Sequence, residues 1–209
     1  MKRQLILPLF ILTCLASCTR VSFIYSISDK KEEKIFKKEM LGKWSPSGEE
    51  GKELVTIDSS FSEDSGFVYK ISIFGKDEDL GFGDLSNFNG ELFDLQGKLF
   101  LMLSTDYGSE QFKEVGRYNM ATMIPTYYVV RIYSIKNDMM EIGVLDGEEF
   151  MKLVHSKKIT IKHEVIEEKK DGEPVDVIVF EKSNELKKKL IELEKFPDVY
   201  ERTTHHKIK

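Results

Sequence analysis

Glu91-Leu92-Phe93-Asp94-Leu95-Gln96-Gly97-Lys98-Leu99-Phe100-Leu101-Met102-Leu103-Ser104 decides the fold. Two apolar-rich runs, Glu91 to Leu95 and Lys98 to Ser104, flank Gln96-Gly97. A glycine in the second place of so short a connection can take the positive φ that a tight hairpin turn demands. Leu99, Leu101 and Leu103 alternate with other residues along the second run. That period of two marks a strand with one face buried.

The same pattern extends in both directions. Tyr127, Val129, Arg131 and Tyr133 alternate with Tyr128, Val130 and Ile132, and Tyr127 to Ser134 and Met139 to Leu145 flank a second turn at Lys136-Asn137-Asp138. Upstream, Phe67, Tyr69, Ile71 and Ile73 share a face opposite Lys70 and Ser72. Shorter strands are expected at Gly42 to Ser45, Glu53 to Ser59, Ile159 to Ile166 and Val175 to Glu181. About nine short strands joined by short turns predict a β-rich (α+β) fold. Its core is an antiparallel meander forming a barrel or sandwich, with two or three flanking helices.

The helices are expected at three places. Lys30 to Leu41 carries Ile35, Phe36 and Met40 on one side, with Asp29 as a capping residue. Asp146 to His155 begins with a capping aspartate followed by Glu148 and Glu149, where negative charge is favourable. Ser183 to Phe196 places Leu186, Leu190 and Leu193 on one face, with Ser183 as its cap and Pro197 as its stop. Thr203 to Lys209 reads as a frayed tail, so the single β-rich domain is expected at 30–198, with a C-terminal tail at 199–209.

The N-terminus reads differently. Lys2 and Arg3 precede the apolar run Leu5 to Leu12, which is far short of the roughly 20 residues that cross a bilayer. A signal peptide has this layout. Leu15-Ala16-Ser17-Cys18 then resembles the lipobox of bacterial lipoproteins. The resemblance implies a signal peptide at 1–17, cleavage between Ser17 and Cys18, and acylation of the Cys18 thiol. Residues 18–29 would form the lipidated tether, although Val21, Phe23, Ile24, Tyr25 and Ile27 make it apolar. Several acyl chains on one cysteine hold a protein firmly to a membrane, because each buried methylene contributes about 0.8 kcal/mol. Thr19 in place of an aspartate leans toward the outer membrane rather than the inner.

Cys14 and Cys18 are the only cysteines of the 209 residues. The mature domain therefore has no disulfide, thiolate metal site or cysteine nucleophile to rely on. The formal charge is −5, and without Lys2 and Arg3 there remain 29 basic against 36 acidic residues, or −7. This balance argues against nucleic acid as a partner.

Gly42-Lys43-Trp44 stands at the entry to the first expected barrel strand and holds the only tryptophan. It resembles the Gly-x-Trp signature of lipocalins. That resemblance implies a tryptophan plugging the closed end of an eight-stranded barrel, with its N–H bonded to a partner. From Phe88 to about Leu190 the chain is also similar to a broader group of bacterial envelope lipoproteins. The similarity rests on the hairpin above, on Ile124-Pro125 with Tyr127 to Ile132, on Leu145-Asp146 and on Ile161-Lys162-His163-Glu164. It implies an envelope lipoprotein and no particular chemistry.

Thr105 to Ile124 is the longest stretch without periodicity; long loops of compact domains are usually functional or disordered, and this one is expected either to bind a partner or to fold over the sheet with its apolar residues in the core. Its Tyr107, Phe112 and Tyr118, together with Trp44, are the candidate ligand-binding residues. The acidic stretch Lys76 to Asp84 lacks the oxygen ligand a calcium loop needs at Gly81. His163-Glu164 lacks the second histidine of a zincin, since Glu167 stands there, and His205-His206 falls in the expected tail. No nucleophile elbow, phosphate-cradling loop or dinucleotide fingerprint occurs. The expectation is a non-enzymatic, cofactor-free and metal-free envelope protein, held to the membrane through lipid on Cys18. Its partner is an envelope protein or, as the alternative, a small apolar ligand carried in the barrel.

Overall fold

Gln96 and Gly97 take φ of 58° and 79°, and the Gly97 amide donates to the Asp94 carboxylate at 2.6 Å. The hairpin expected there forms. Asn137 and Asp138, at 55° and 56°, make a second two-residue turn between Lys136 and Met139. The computed structural model describes residues 20–28, 30–46, 53–63, 66–76, 83–108, 126–168 and 174–208.

The strands in chain order are β1 (Arg20–Phe23), β2 (Lys34–Ile35), β3 (Gly42–Ser45), β4 (Glu53–Ser62), β5 (Gly66–Lys76) and β6 (Gly83–Leu95). They continue with β7 (Lys98–Thr105), β8 (Tyr127–Lys136), β9 (Met139–Leu145), β10 (His163–Glu168), β11 (Pro174–Val179) and β12 (Tyr200–Ile208). Strands β3 to β9 pair antiparallel in sequence order, and β12 pairs with both β9 and β3. The eight strands β3–β9 and β12 thus close an antiparallel barrel. Closure rather than a sandwich removes the exposed edges that such a sheet would otherwise present. Two α-helices, α1 (Gly147–His155) and α2 (Ser183–Leu193), lie between β9 and β12 among the described residues. None of the described helices is long and apolar enough to cross a membrane.

Alternation along the strands sorts apolar side chains into two cores. One lies inside the barrel and includes Trp44, Ile57, Tyr69, Ile71, Leu92, Leu101, Ile132 and Met140. The other lies on the outer wall, where Phe93, Phe100, Met102 and Val129 meet Leu186, Leu190 and Leu193 of α2. A small sheet extends this outer layer. There β1 runs parallel to β11 and touches β8 at Phe23–Tyr127, while β10 pairs antiparallel with β11.

Four expectations need correction. Residues 20–28 are not a tether, because Phe23 and Ile27 are wholly buried in the outer core and β1 is hydrogen-bonded along β11. Their apolar composition serves packing. Residues 30–41 are not one helix. Two short 3-10 turns, Lys31–Glu33 and Lys38–Met40, flank β2, whose backbone is captured by β6 at Phe93 and Leu92. The C-terminal segment is not a tail, since β12 is the strand that closes the barrel. Ser183 does not cap α2. Its hydroxyl donates to the Ser26 carbonyl at 2.9 Å, and the N-cap position falls on Lys182. The Asp146 cap of α1 forms as expected, accepting from the Glu148 and Glu149 amides.

Candidate functional site

The barrel has two unlike ends. The tight turns of β6–β7 and β8–β9 lie at the same end as the start of β3 and the finish of β12. Residues 30–41 run across this end as a floor. Phe36 stacks on Tyr69 with ring centroids 5.6 Å apart, and the Lys37 amide donates to the Tyr69 hydroxyl at 2.7 Å. Met40 is wholly buried, and its carbonyl accepts from Trp44 Nε1 at 2.8 Å. The indole thus covers the core while its only polar atom is bonded. From the last strand, Lys207 Nζ lies 5.2 Å from the centre of the Trp44 ring.

Toward the other end the interior opens. Along β9, Met140 is buried, Ile142 half-buried and Val144 exposed at 45 %, although all three face inward. On β4, Ile57 is buried while Val55 and Glu53 are half-buried. The same order runs through Ile71 and Ile73 on β5, and through Leu92, Phe88 and Ser86 on β6. A barrel of about eight strands has an interior that side chains can fill or that can hold one small ligand. On β4, β5, β6 and β9 the inward residues thus become more accessible toward the mouth, whereas on β7 Leu101 and Leu103 stay buried.

β12 departs furthest from the apolar lining. The inward face of β12 is polar, carrying Glu201, Thr203, His205 and Lys207 opposite Val144, Ile142, Met140 and Trp44. The His205 side chain is buried, and its Nδ1 has no hydrogen-bond partner. Burial and the neighbouring His206 push its pKa down to about 4, so the ring is neutral at ordinary pH. Glu53 sits on the rung of His205. Lys207, Trp44 and Val55 form one cross-strand row, and each of His205 and Glu53 lies two residues nearer the mouth. Burial holds the Glu53 carboxyl above its ordinary range.

The outer wall is fixed by a different device. Arg131, on the outward face of β8, donates to Glu194 at 3.0 Å and to the carbonyls of Leu99 and Ile132. Its guanidinium lies 5.2 Å from the Phe100 ring centre and 4.8 Å from that of Tyr133. Glu194 follows α2 and also meets Lys98 at 3.3 Å, so the end of the helix is pinned to the barrel. A pocket of about 340 Å³ lies apart from the barrel interior, between α1 and the turn before β12, lined by Glu149, Lys158, Lys195 and Phe196 among others.

Of the residues singled out from sequence, Trp44 lies at the floor rather than in a ligand-facing mouth. Tyr107 follows β7 at the mouth end, half-buried in a turn. Phe112, Tyr118, Ser17 and Cys18 lie outside the described residues, as does most of the acidic stretch Lys76 to Asp84. His163 and Glu164 are neighbours on β10, with His163 Nδ1 beside the Ile161 carbonyl at 3.1 Å. His205, read from sequence with His206 as part of an exposed tail, is instead buried in β12, and Glu53 was not singled out from sequence. The signal for His205 is its place two residues before Lys207 in the strand that must close the cylinder.

No protein-family model, no curated protein and no solved structure matches this chain.

Proposed function

We propose that this chain is a lipid-anchored protein of the bacterial cell envelope that binds a small apolar ligand inside its barrel and performs no catalysis. The observation that carries the reading is the graded inward face of β4, β5, β6 and β9, buried toward the floor and accessible toward the mouth as far as Val144. Ligand pockets of this kind are concave, mostly apolar and set with few polar groups. The lipobox residues Leu15 to Cys18 support the anchor, and Thr19 supports the outer membrane. The indole floor at Trp44 and the eight-stranded closure support a lipocalin-like carrier. Docking on an envelope protein is the competing role. It would rest on the exposed pair Phe61 and Phe67 at the closed end, and nothing there indicates an occupant.

Trp44 is the natural donor for a test, being the only tryptophan and lying beneath the proposed site. The mature chain from residue 18, carrying Cys18→Ser to stay unacylated, keeps every described residue. Titration with the neutral apolar dye N-phenyl-1-naphthylamine should give saturable energy transfer from Trp44 at one dye per chain. Dye uptake that never saturates, or none at all, would refute the reading.

A further inference from the structure

We infer that the barrel selects uncharged long-chain molecules bearing a hydroxyl group, such as fatty alcohols, and that His205 is the residue that holds the hydroxyl. The inference rests on the carrier reading and names the class of ligand.

One buried nitrogen of the barrel interior is orphaned. His205 is 3 % exposed, faces the interior beside Met140, and leaves Nδ1 unpaired. A buried polar atom without a partner costs about 1–3 kcal/mol, so native structures seldom retain one without a use. On β9 and β8 the wall beside it is apolar, with Ile142, Val130 and Tyr128 between it and the mouth. A chain-like molecule could therefore lie along the wall and bring one polar group to His205.

The charges around that position decide which polar group. Glu53 shares the rung of His205, and Glu201 faces inward nearer the mouth opposite Val144. Glu53, on that rung, disfavours an incoming carboxylate. The inward cation described on β12 is Lys207, whose Cε lies against Gly42 at the closed end, with Nζ over the Trp44 ring. Among the described residues of β3, β4, β9 and β12, no lysine or arginine faces inward on the His205 rung. The neutral ring of His205 offers no positive charge either. A hydroxyl suits the site, because it can donate to or accept from Nδ1 whichever tautomer the imidazole adopts. Thr203, one rung nearer the mouth on the same face, adds a second hydrogen-bonding group.

Competition against N-phenyl-1-naphthylamine on the mature Cys18→Ser chain tests the inference. Dodecanol should displace the dye at a concentration about tenfold lower than dodecanoate at neutral pH, the scale expected of one buried hydrogen bond gained. In His205→Leu the alcohol should lose this advantage while dye binding persists. His205→Gln, which keeps a hydrogen-bonding group, should retain part of it. Dodecanoate displacing as well as dodecanol, or an undiminished alcohol preference in His205→Leu, would overturn the inference and leave the carrier reading standing. Failure of the dye to bind the parent chain would overturn the carrier reading itself.

Discussion

Lys207 lies over Trp44, with Nζ 5.2 Å from the ring centre, and so joins the last strand of the barrel to the first. The backbone pairs of the same rung run from Lys207 through Trp44 to Val55. Gly42 makes room for the arrangement. Its φ is +127°, and a Cβ added there would lie 2.7 Å from Lys207 Cε. The lysine can swing aside, but the backbone angle cannot be kept without strain. Gly42→Ala should therefore cost about 1–3 kcal/mol, read as a lower denaturant midpoint with unchanged slope. Adding Lys207→Ala should restore little of it, since the strain resides in the backbone.

Arg131 and Glu194 make a second prediction. Both are nearly buried, with side chains 9 % and 8 % exposed. Removing one partner of a buried pair leaves an uncompensated charge and typically costs about 3–5 kcal/mol. Arg131→Met should fall at or below the low end of that range, because Lys98 still meets Glu194. The double variant Arg131→Met with Glu194→Leu should recover most of the loss. A double variant as unstable as the sum of its singles would show that the two residues are not coupled.

The buried His205 makes stability depend on pH. Its folded pKa is lowered to about 4 from 6.5, so the folded state resists a proton that the unfolded chain accepts. Its contribution is intact above pH 6.5 and is lost as pH falls toward 4, amounting to about 3 kcal/mol at most. Glu53 acts in the opposite sense. Its raised carboxyl costs stability while charged, and that cost is relieved as pH falls through its folded value. Chemical denaturation at several pH values should show a shallower acid loss in His205→Phe than in the parent, and a steeper one in Glu53→Gln. Parallel curves for parent and His205→Phe would contradict the placement of His205.

Cys18→Ser in the full chain tests the anchor. Labelled palmitate should enter the parent and not the variant, and the variant should accumulate as unprocessed precursor. Label retained in the variant would mean that the lipid lies elsewhere. With β1 beginning at Arg20, two residues beyond Cys18, an acylated chain would hold the domain close against the bilayer.

How much of this could be read from the sequence depends on where each interaction partner lies. The β6–β7 hairpin was legible because Gln96-Gly97 and the alternating leucines are local signals. Trp44 at the first barrel strand was legible from a glycine two residues before it. Residues 20–23 were not, because their partner is β11, more than 150 positions away, as the Ser22–Val177 bond shows. The helical spacing of Ile35, Phe36 and Met40 was overridden by the free edge of β6, which captured Lys34 and Ile35. β12 was hidden because its inward and outward faces are both polar after Tyr200, so a period of two leaves no hydropathy signal. The inward-facing, buried His205 was hidden with it.

Native mass spectrometry of the unacylated mature Cys18→Ser chain, purified without detergent and compared before and after organic extraction, tests the carrier reading most directly. The account predicts a mass excess of one apolar molecule per chain that extraction removes and that dodecanol restores. A bare chain mass before extraction, with no uptake of dodecanol or of the neutral dye afterwards, would contradict it.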